Sequence, residues 1–416
     1  MRIGVVGGGI AGLATAFLLQ EEHDVTLFEA APRVGGHAHT LDVEHEGSRF
    51  AVDTGFVVYN EVTYPNFVAL LARLGVATQP TEMSFSVRNE RSGLEYCGTG
   101  FNSIFAQRRN LLRPRFHRML RDIVRFNRTA EAEAGRLGER ATLAELLAAG
   151  NYGQSFIDDY FVPMTAAIWS TPAAEMTAAP ALFIVRFLRN HGMLSVNGHF
   201  EWRTVAGGSR RYVDALVARL RKSPETATPI AALLRRDDHV EVVRASGRKE
   251  IFDEVVLAVH TDEARLLLAD ADREERNLLA DLRYETSAVT VHRDSRLLPR
   301  APRARASWNY HADSARAAKV TLTYDMSRLQ RLETTAPILV TLNRDESIDP
   351  SKVFARFEYS HPQYDLRGAV AKARLLSLSG TRRIHFAGAW CGNGFHEDGV
   401  VSAHAVAERL RARRAA

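Results

Sequence analysis

The sequence predicts an α/β protein in which a Rossmann-like dinucleotide-binding domain, built from separate stretches of chain, carries an inserted α+β domain. Three observations predict it. A strand, a glycine turn and a helix follow one another over residues 3–20. Further strand-like runs stand at 23–30, 250–260 and 384–390. Between them lie long stretches of mixed helical and strand character. With 416 residues, 46% hydrophobic and 25% charged, the chain is long enough for two cores and too apolar to be disordered.

The first element is IGVVGGGIAGLATAFLLQ, a short apolar strand running into an apolar-periodic helix. Gly7, Gly9 and Gly12 between them form G-x-G-x-x-G. The first glycine permits a sharp turn, the second a close approach to a pyrophosphate, the third close helix–strand packing. The helix start at Ile10 and Ala11 offers free N–H groups and a positive dipole end to phosphates. The second strand, HDVTLFEA, ends in Glu29, 22 positions after Gly7 and near where an acid meets ribose hydroxyls. That acid disfavours a 2′-phosphate and leaves NAD and FAD both open.

The next residues separate the two. Glu29-Ala-Ala-Pro-Arg33-Val-Gly35-Gly36 resembles the E-x-x-x-R-x-G-G extension of the superfamily of flavin-dependent amine oxidases, phytoene desaturases and protoporphyrinogen oxidases. The resemblance implies noncovalent FAD, with Glu29 on the ribose and Arg33, Gly35 and Gly36 leading the chain past the diphosphate. His37 stands where many amine oxidases have arginine. VDTGF, with Thr54 and Gly55, falls where the superfamily runs a tight segment beside the flavin ring, and the backbone near Ile230 would line the adenine pocket. WRTVAGGSRRYVDALVARL matches a Gly-Gly turn into a helix, and HVEVVRA and EIFDEVVLAVH flank a hairpin turn at Ser246–Lys249. By the same resemblance residues 1–80, 201–280 and 376–416 form the cofactor domain, and 81–200 and 281–375 a substrate-binding cap with helices and a mostly antiparallel sheet.

YNEVTYPNF, EMSFSV, FIDDYFVPMTAAIWSTP, ASWNY, VTLTYDMSRLQ and GFHEDG together are similar to one bacterial group of predicted NAD/FAD-binding proteins. Its members are often encoded beside cyclopropane-fatty-acid synthase-like methyltransferases, which implies chemistry on lipid tails. The reaction implied is hydride transfer from a substrate C–H bond to flavin N5, as a dehydrogenase or desaturase of a fatty-acyl lipid. An amine oxidase and a non-catalytic flavin-binding partner protein are the alternatives.

The last motif, HFAGAWCGNGFHEDGVVSAH, brings a strand to a helix expected to begin near Gly399. The resemblance places Gly388, Asp398, Gly399 and Val400 at FAD contacts, with Asp398 as the helix N-cap. His396 falls near the cage tyrosine of amine oxidases. It is either a substrate-facing acid–base group or a histidine bracing the turn. Glu397 is either its partner or a loop carboxylate. A metal site is not expected, because adjacent side chains diverge and no His-x-x-x-His or Cys-x-x-Cys pair joins them. In the cap, Tyr59, Trp308 and Tyr310 are candidate pocket residues, and His292 stands near the place of a lysine that holds water by the flavin in amine oxidases.

Net charge is +5, carried by arginine with only five lysines and spread along the chain, so nucleic acid is not an expected partner. One stretch is concentrated: residues 107–128 hold eight arginines on one side of a helical pattern and Phe116, Met119, Leu120 and Ile123 on the other. It reads as a core-facing helix with a solvated basic face, or as a helix resting on anionic lipid. Cys97 and Cys391 make no disulfide framework. Without a signal-peptide layout or a long apolar run, a cytoplasmic protein is expected, with peripheral contact at the inner membrane face.

Overall fold

The computed structural model describes residues 1–195, 200–312 and 319–415. Its parallel sheet has the order Ile384–Phe386, Glu254–Leu257, Arg2–Val6, Asp24–Phe28. Three distant stretches therefore build one sheet. Val5, Val255, Val256 and Phe28 are wholly buried, as a parallel sheet covered on both faces requires. The helix Ile10–Leu19 is apolar on every side because it is enclosed on every side, with nine of its ten residues buried. The helix His396–Ala415 packs on it through Val400, Val406, Ala407 and Leu410.

EIFDEVVLAVH does not form one strand. Lys249–Phe252 closes an antiparallel hairpin with Val240–Arg244, and Glu254–Leu257 enters the parallel sheet. The break is at Asp253, whose N–H donates to the Arg2 carbonyl (2.9 Å) and whose carboxylate accepts from the Arg2 N–H (2.7 Å). The chain changes sheets there because Asp253 is tied to the first strand.

The second body is a seven-stranded sheet, mostly antiparallel, with Trp308–Ala312 lying parallel to Phe85–Asn89. The helices Pro114–Leu137, Leu143–Ala149, Val162–Trp169 and Ala181–Asn190 pack beside it around Phe126, Phe156, Phe161 and Leu188. Thr142 and Glu145 form a capping box that starts the second of these helices. No helix of the described residues is long and apolar enough to cross a membrane.

Candidate functional site

The glycine turn has one open position and two closed ones. A Cβ on Gly7 would lie 2.4 Å from the Ala258 carbonyl oxygen, and one on Gly12 only 1.8 Å from that of Gly7. A Cβ on Gly9 would meet nothing within 4 Å. The helix from Ile10 and Ala11 onward has no side-chain cap and no acid in its first turn, so its N–H groups and dipole end are free for an anion. Gly35 donates its N–H to the Gly8 carbonyl (2.7 Å), and Gly36 comes so close to Gly9 that its Cβ would lie 3.2 Å from that Cα. Arg33 reaches back to the Gly36 carbonyl at 3.1 Å. Glu29 accepts from the N–H groups of Gly8 (2.7 Å) and Ala31 (2.8 Å). Residues 225–228 run beside Glu29, and half-buried Ile230 follows them.

From this cradle the chain passes to a wall of imidazoles and phenols. Phe56 donates its N–H to the His37 carbonyl (2.8 Å), and a Cβ on Gly55 would lie 2.3 Å from that oxygen. The Tyr359 hydroxyl lies 2.7 Å from both Thr54 Oγ1 and His39 Nδ1. The His37 ring is 5.1 Å from Tyr359, 5.5 Å from His361 and 5.9 Å from His260. His260 stacks on Tyr284 at 4.2 Å. His37 Nε2, His361 Nδ1 and the Tyr364 hydroxyl are buried without a hydrogen-bond partner. Buried polar atoms are normally satisfied, so two orphans on the neighbouring rings of His37 and His361 point to a polar group that the chain itself does not supply. With the opening at Gly9 and the uncapped helix, they fit a flavin dinucleotide: phosphates at Gly9, Ile10 and Ala11, ring beside Gly55 and His37.

The C-terminal motif stands between the two bodies. A Cβ on Gly399 would lie 2.8 Å from Ile10 Cγ2, so this glycine lets two helix N-termini meet. Gly388, at φ +157°, donates its N–H to Ser402 Oγ (2.9 Å). Trp169 Nε1 donates to the Asn393 carbonyl (3.2 Å), and Lys372 Nζ to that of Gly392 (2.6 Å). The helix begins at His396, three residues earlier than expected, and Asp398 is not its N-cap. Asp398 lies inside the first turn and accepts from the Phe395 N–H (2.8 Å), the acid half of a capping box.

His396 is buried in the dinucleotide-binding body. It stacks on Phe56 at 3.7 Å, meets Phe67 edge-on, and lies 2.7 Å through Nε2 from the Tyr212 hydroxyl. Burial lowers its pKa to about 3, so it is neutral near pH 7. This is the bracing role, and the acid–base role expected as the alternative is not what the packing supports. Glu397 also braces. It accepts from the N–H groups of Asn66 (3.0 Å) and Phe67 (2.9 Å) and from Asn66 Nδ2 (2.7 Å), an anion on the N-terminus of the helix Pro65–Leu74.

The expected pocket residues are not brought together. Tyr59 is 2% exposed in the core of Phe67 and Tyr64, because the strand Tyr59–Asn60 turns it inward. Trp308 and Tyr310 belong to a different cluster, under the antiparallel sheet. His292 is also displaced from the expected place. It pairs with Val353 at the end of its strand and bonds to Thr341 Oγ1 (2.8 Å), whereas the positions opposite Tyr359 and His361 are Ser287 and Glu285. His260, Tyr284, Tyr359, His361 and Tyr364 had no signal in the sequence, since they come from three separate stretches of chain, with only Tyr359 and His361 sharing a strand. Among the described residues no group of three or more His, Cys, Asp or Glu side chains is arranged to hold a metal.

So many buried imidazoles make acid the weak side of this fold. Burial lowers the pKa of His39, His292 and His361 to about 4, and also lowers those of His37, His191, His260 and His311. From about pH 6.5 down to about 4, the unfolded chain binds protons that these groups refuse when folded, so stability falls with pH. Burial raises the carboxyls of Asp53, Asp159, Asp325 and Asp398, whose proton uptake by the folded form opposes this, but four groups stand against eight histidines. Urea midpoints of the flavin-free protein are expected to fall steadily between pH 7.5 and 4.5, on the ordinary histidine scale. A flat profile would contradict the burial described.

The profile of the family described as flavin containing amine oxidoreductase matches residues 10–334. Over 75 residues, 18% of this chain and 11% of that protein's length, the sequence is 35% identical to carotenoid phi-ring synthase of Chlorobaculum tepidum. A CLA-producing fatty acid isomerase from P. acnes has the same fold, with a TM-score of 0.72 at 17% identity over 98% of both chains. Putrescine oxidase superposes with a TM-score of 0.71 at 14% identity over 99% of both chains, and so does a putative protoporphyrinogen oxidase from Exiguobacterium sp. 255-15, at 0.71, 16% and 99%.

Proposed function

Because the chain belongs to the flavin containing amine oxidoreductase family, we propose that it is an FAD-dependent oxidoreductase that removes hydride from a C–H bond of an apolar, fatty-acyl substrate. When bound, the flavin supplies the hydride acceptor. The cradle at Gly7, Gly9 and Gly12 holds the diphosphate, Glu29 the ribose, and the N-terminus of the helix His396–Ala415 favours the negative charge of the reduced ring. His37, His361 and Tyr364 offer hydrogen bonds to the ring or to a proton in transit beside it. The cofactor is held noncovalently, since burial pushes the Cys391 thiol up to about 12 and keeps it protonated.

One observation carries the choice of an apolar substrate over an amine. The buried carboxylates around the ring position are all engaged by the chain: Asp53 by Thr40 and Ser209, Glu397 by Asn66 and Phe67, Asp398 by Phe395. Asp53 and Glu397 are occupied at both oxygens, and Asp398 is turned toward the start of its own helix. After Gly55 the chain continues into apolar, half-buried Val57 and Val58, which pack with Phe85 and Phe357 on one hydrophobic cluster. The fatty acid isomerase shows only that this fold serves acyl chemistry in another protein.

The test is anaerobic reduction of the FAD-loaded protein, followed as loss of the flavin band near ~450 nm. Phospholipids with methyl-branched or unsaturated chains are expected to bleach it, and putrescine or cyclohexylamine to leave it oxidised. Bleaching by amines alone would make the protein an amine oxidase. A bound flavin that no substrate reduces would make it a flavin-binding partner protein.

A further inference from the structure

We propose that residues 100–117, with the exposed face of the helix Pro114–Leu137 as far as Arg128, form a docking surface for an anionic phospholipid bilayer. The proposal deepens the acyl-lipid reading and rests on it for the use of the surface, though not for the binding itself.

Apolar exposure is concentrated here. Of eleven large hydrophobic side chains exposed among the described residues, four lie between positions 101 and 124: Phe101 at 66%, Leu111 at 40%, Leu112 at 87% and Val124 at 39%. The first three belong to one compact knot. Phe101 packs on Phe105 at 4.8 Å, Phe105 on Phe116 at 5.5 Å, and His117 Nε2 lies 2.8 Å from the Leu111 carbonyl oxygen. Phe105 and Phe116 are buried, so the knot has its own small core, yet it leaves Phe101 and Leu112 in water. Nothing in local folding requires that exposure.

The charge around these side chains has one sign. Residues 98–128 contain eight arginines and a single acid, Asp122. Among the described residues only Arg115 and Arg125 reach a carboxylate, Asp159 at 3.4 Å and Asp122 at 3.1 Å. Arg108, Arg109, Arg118, Arg121 and Arg128 are exposed without an ion pair. The opposite face of the helix is occupied, with Phe116, Met119, Phe126, Ala130 and Ala134 buried, so the cationic face is the one left outward. Apolar side chains beside unpaired guanidinium groups suit the acyl boundary and phosphate layer of an anionic membrane. A nucleic acid would use the charges and leave Phe101 and Leu112 unexplained.

The surface is also close to the site. Phe126 shares its core with the helix Ala181–Asn190, and Phe187 of that helix stacks at 4.9 Å on Phe395, the neighbour of His396. One layer of helix lies between the docking face and the C-terminal motif.

The experiment is sedimentation of the FAD-loaded protein with vesicles of phosphatidylglycerol mixed into phosphatidylcholine, and of phosphatidylcholine alone. Binding is expected only to the anionic vesicles. Arg118→Gln with Arg121→Gln is expected to weaken it about 30-fold, at roughly fivefold per arginine. Phe101→Ser with Leu112→Ser is expected to weaken it at least tenfold, on the scale of buried apolar area. Equal binding to both vesicles, or none, overturns the proposal. Binding that the serine variants leave unchanged also overturns it and points to a polyanion site instead. Reduction of the flavin by detergent-dispersed substrate is measured separately. Vesicle binding without reduction would remove the acyl substrate and leave the surface; reduction without vesicle binding would do the reverse.

Discussion

Gly12→Ala is expected to give a protein that takes up flavin far more weakly and is less stable by about 3 kcal/mol, the cost of forcing a methyl into a closed site. The new Cβ would stand 1.8 Å from the Gly7 carbonyl oxygen, and both partners are backbone. No rotamer relieves the clash. The helix Ile10–Leu19 must move off the turn, and its first N–H groups leave the place proposed for the diphosphate. Separately, losing helix N–H bonds to the charged diphosphate, at about 1.5–3 kcal/mol, raises the dissociation constant for FAD by about 10- to 100-fold. Gly9→Ala is the control, since its Cβ would meet nothing within 4 Å. It is expected to unfold at the urea concentration of the parent and still lose flavin, because the methyl enters the path of the pyrophosphate. Flavin titration and urea denaturation of both variants check this. If Gly12→Ala binds FAD as the parent does, the close approach at the turn is wrong.

Glu397→Ala is expected to cost about 3 kcal/mol without touching any reacting group, because it strips a buried anion from three donors. Its carboxylate is 8% exposed as a residue and serves Asn66 and Phe67 at the start of the helix Pro65–Leu74. Glu397→Gln retains one acceptor oxygen and is expected to lose about 1 kcal/mol, the scale of a neutral hydrogen bond. The order parent, Gln, Ala in urea midpoint would support the cap. A fully stable alanine variant whose flavin is no longer reduced would instead make Glu397 part of the chemistry.

The two variants mark where reading the sequence succeeds and where it stops. Gly9 and Gly12 are legible because their roles are local, an opening and a packing contact on Gly7, and Gly7 is legible by its turn, although the carbonyl that closes its space belongs to distant Ala258. The same holds for the capping box at Thr142 and Glu145 and for the hairpin around Gly247, where φ is +86°. The start of the last helix was misplaced by three residues for a related reason. His-Glu-Asp-Gly offers several capping schemes, and packing of His396 against Phe56 and Tyr212 selects one.

The sequence by itself determined a dinucleotide cradle, and its resemblance to the E-x-x-x-R-x-G-G extension the cofactor class, since the glycine turn, Glu29 and Arg33-Val-Gly35-Gly36 form one continuous stretch. It showed too a basic amphipathic helix, whose apolar side the tertiary structure turned inward. Only the tertiary structure decided what each acid and imidazole does. Glu397 meets Asn66 across 331 positions of chain, and His37 meets His361 across more than 300. A side chain's chemistry depends on burial and on which partners reach it, and for these residues both are set by elements that come together only on folding. Thus His396, the apparent catalyst of the motif, is packed as a brace, and the polar atoms left without a partner belong instead to residues such as His37, His361 and Tyr364.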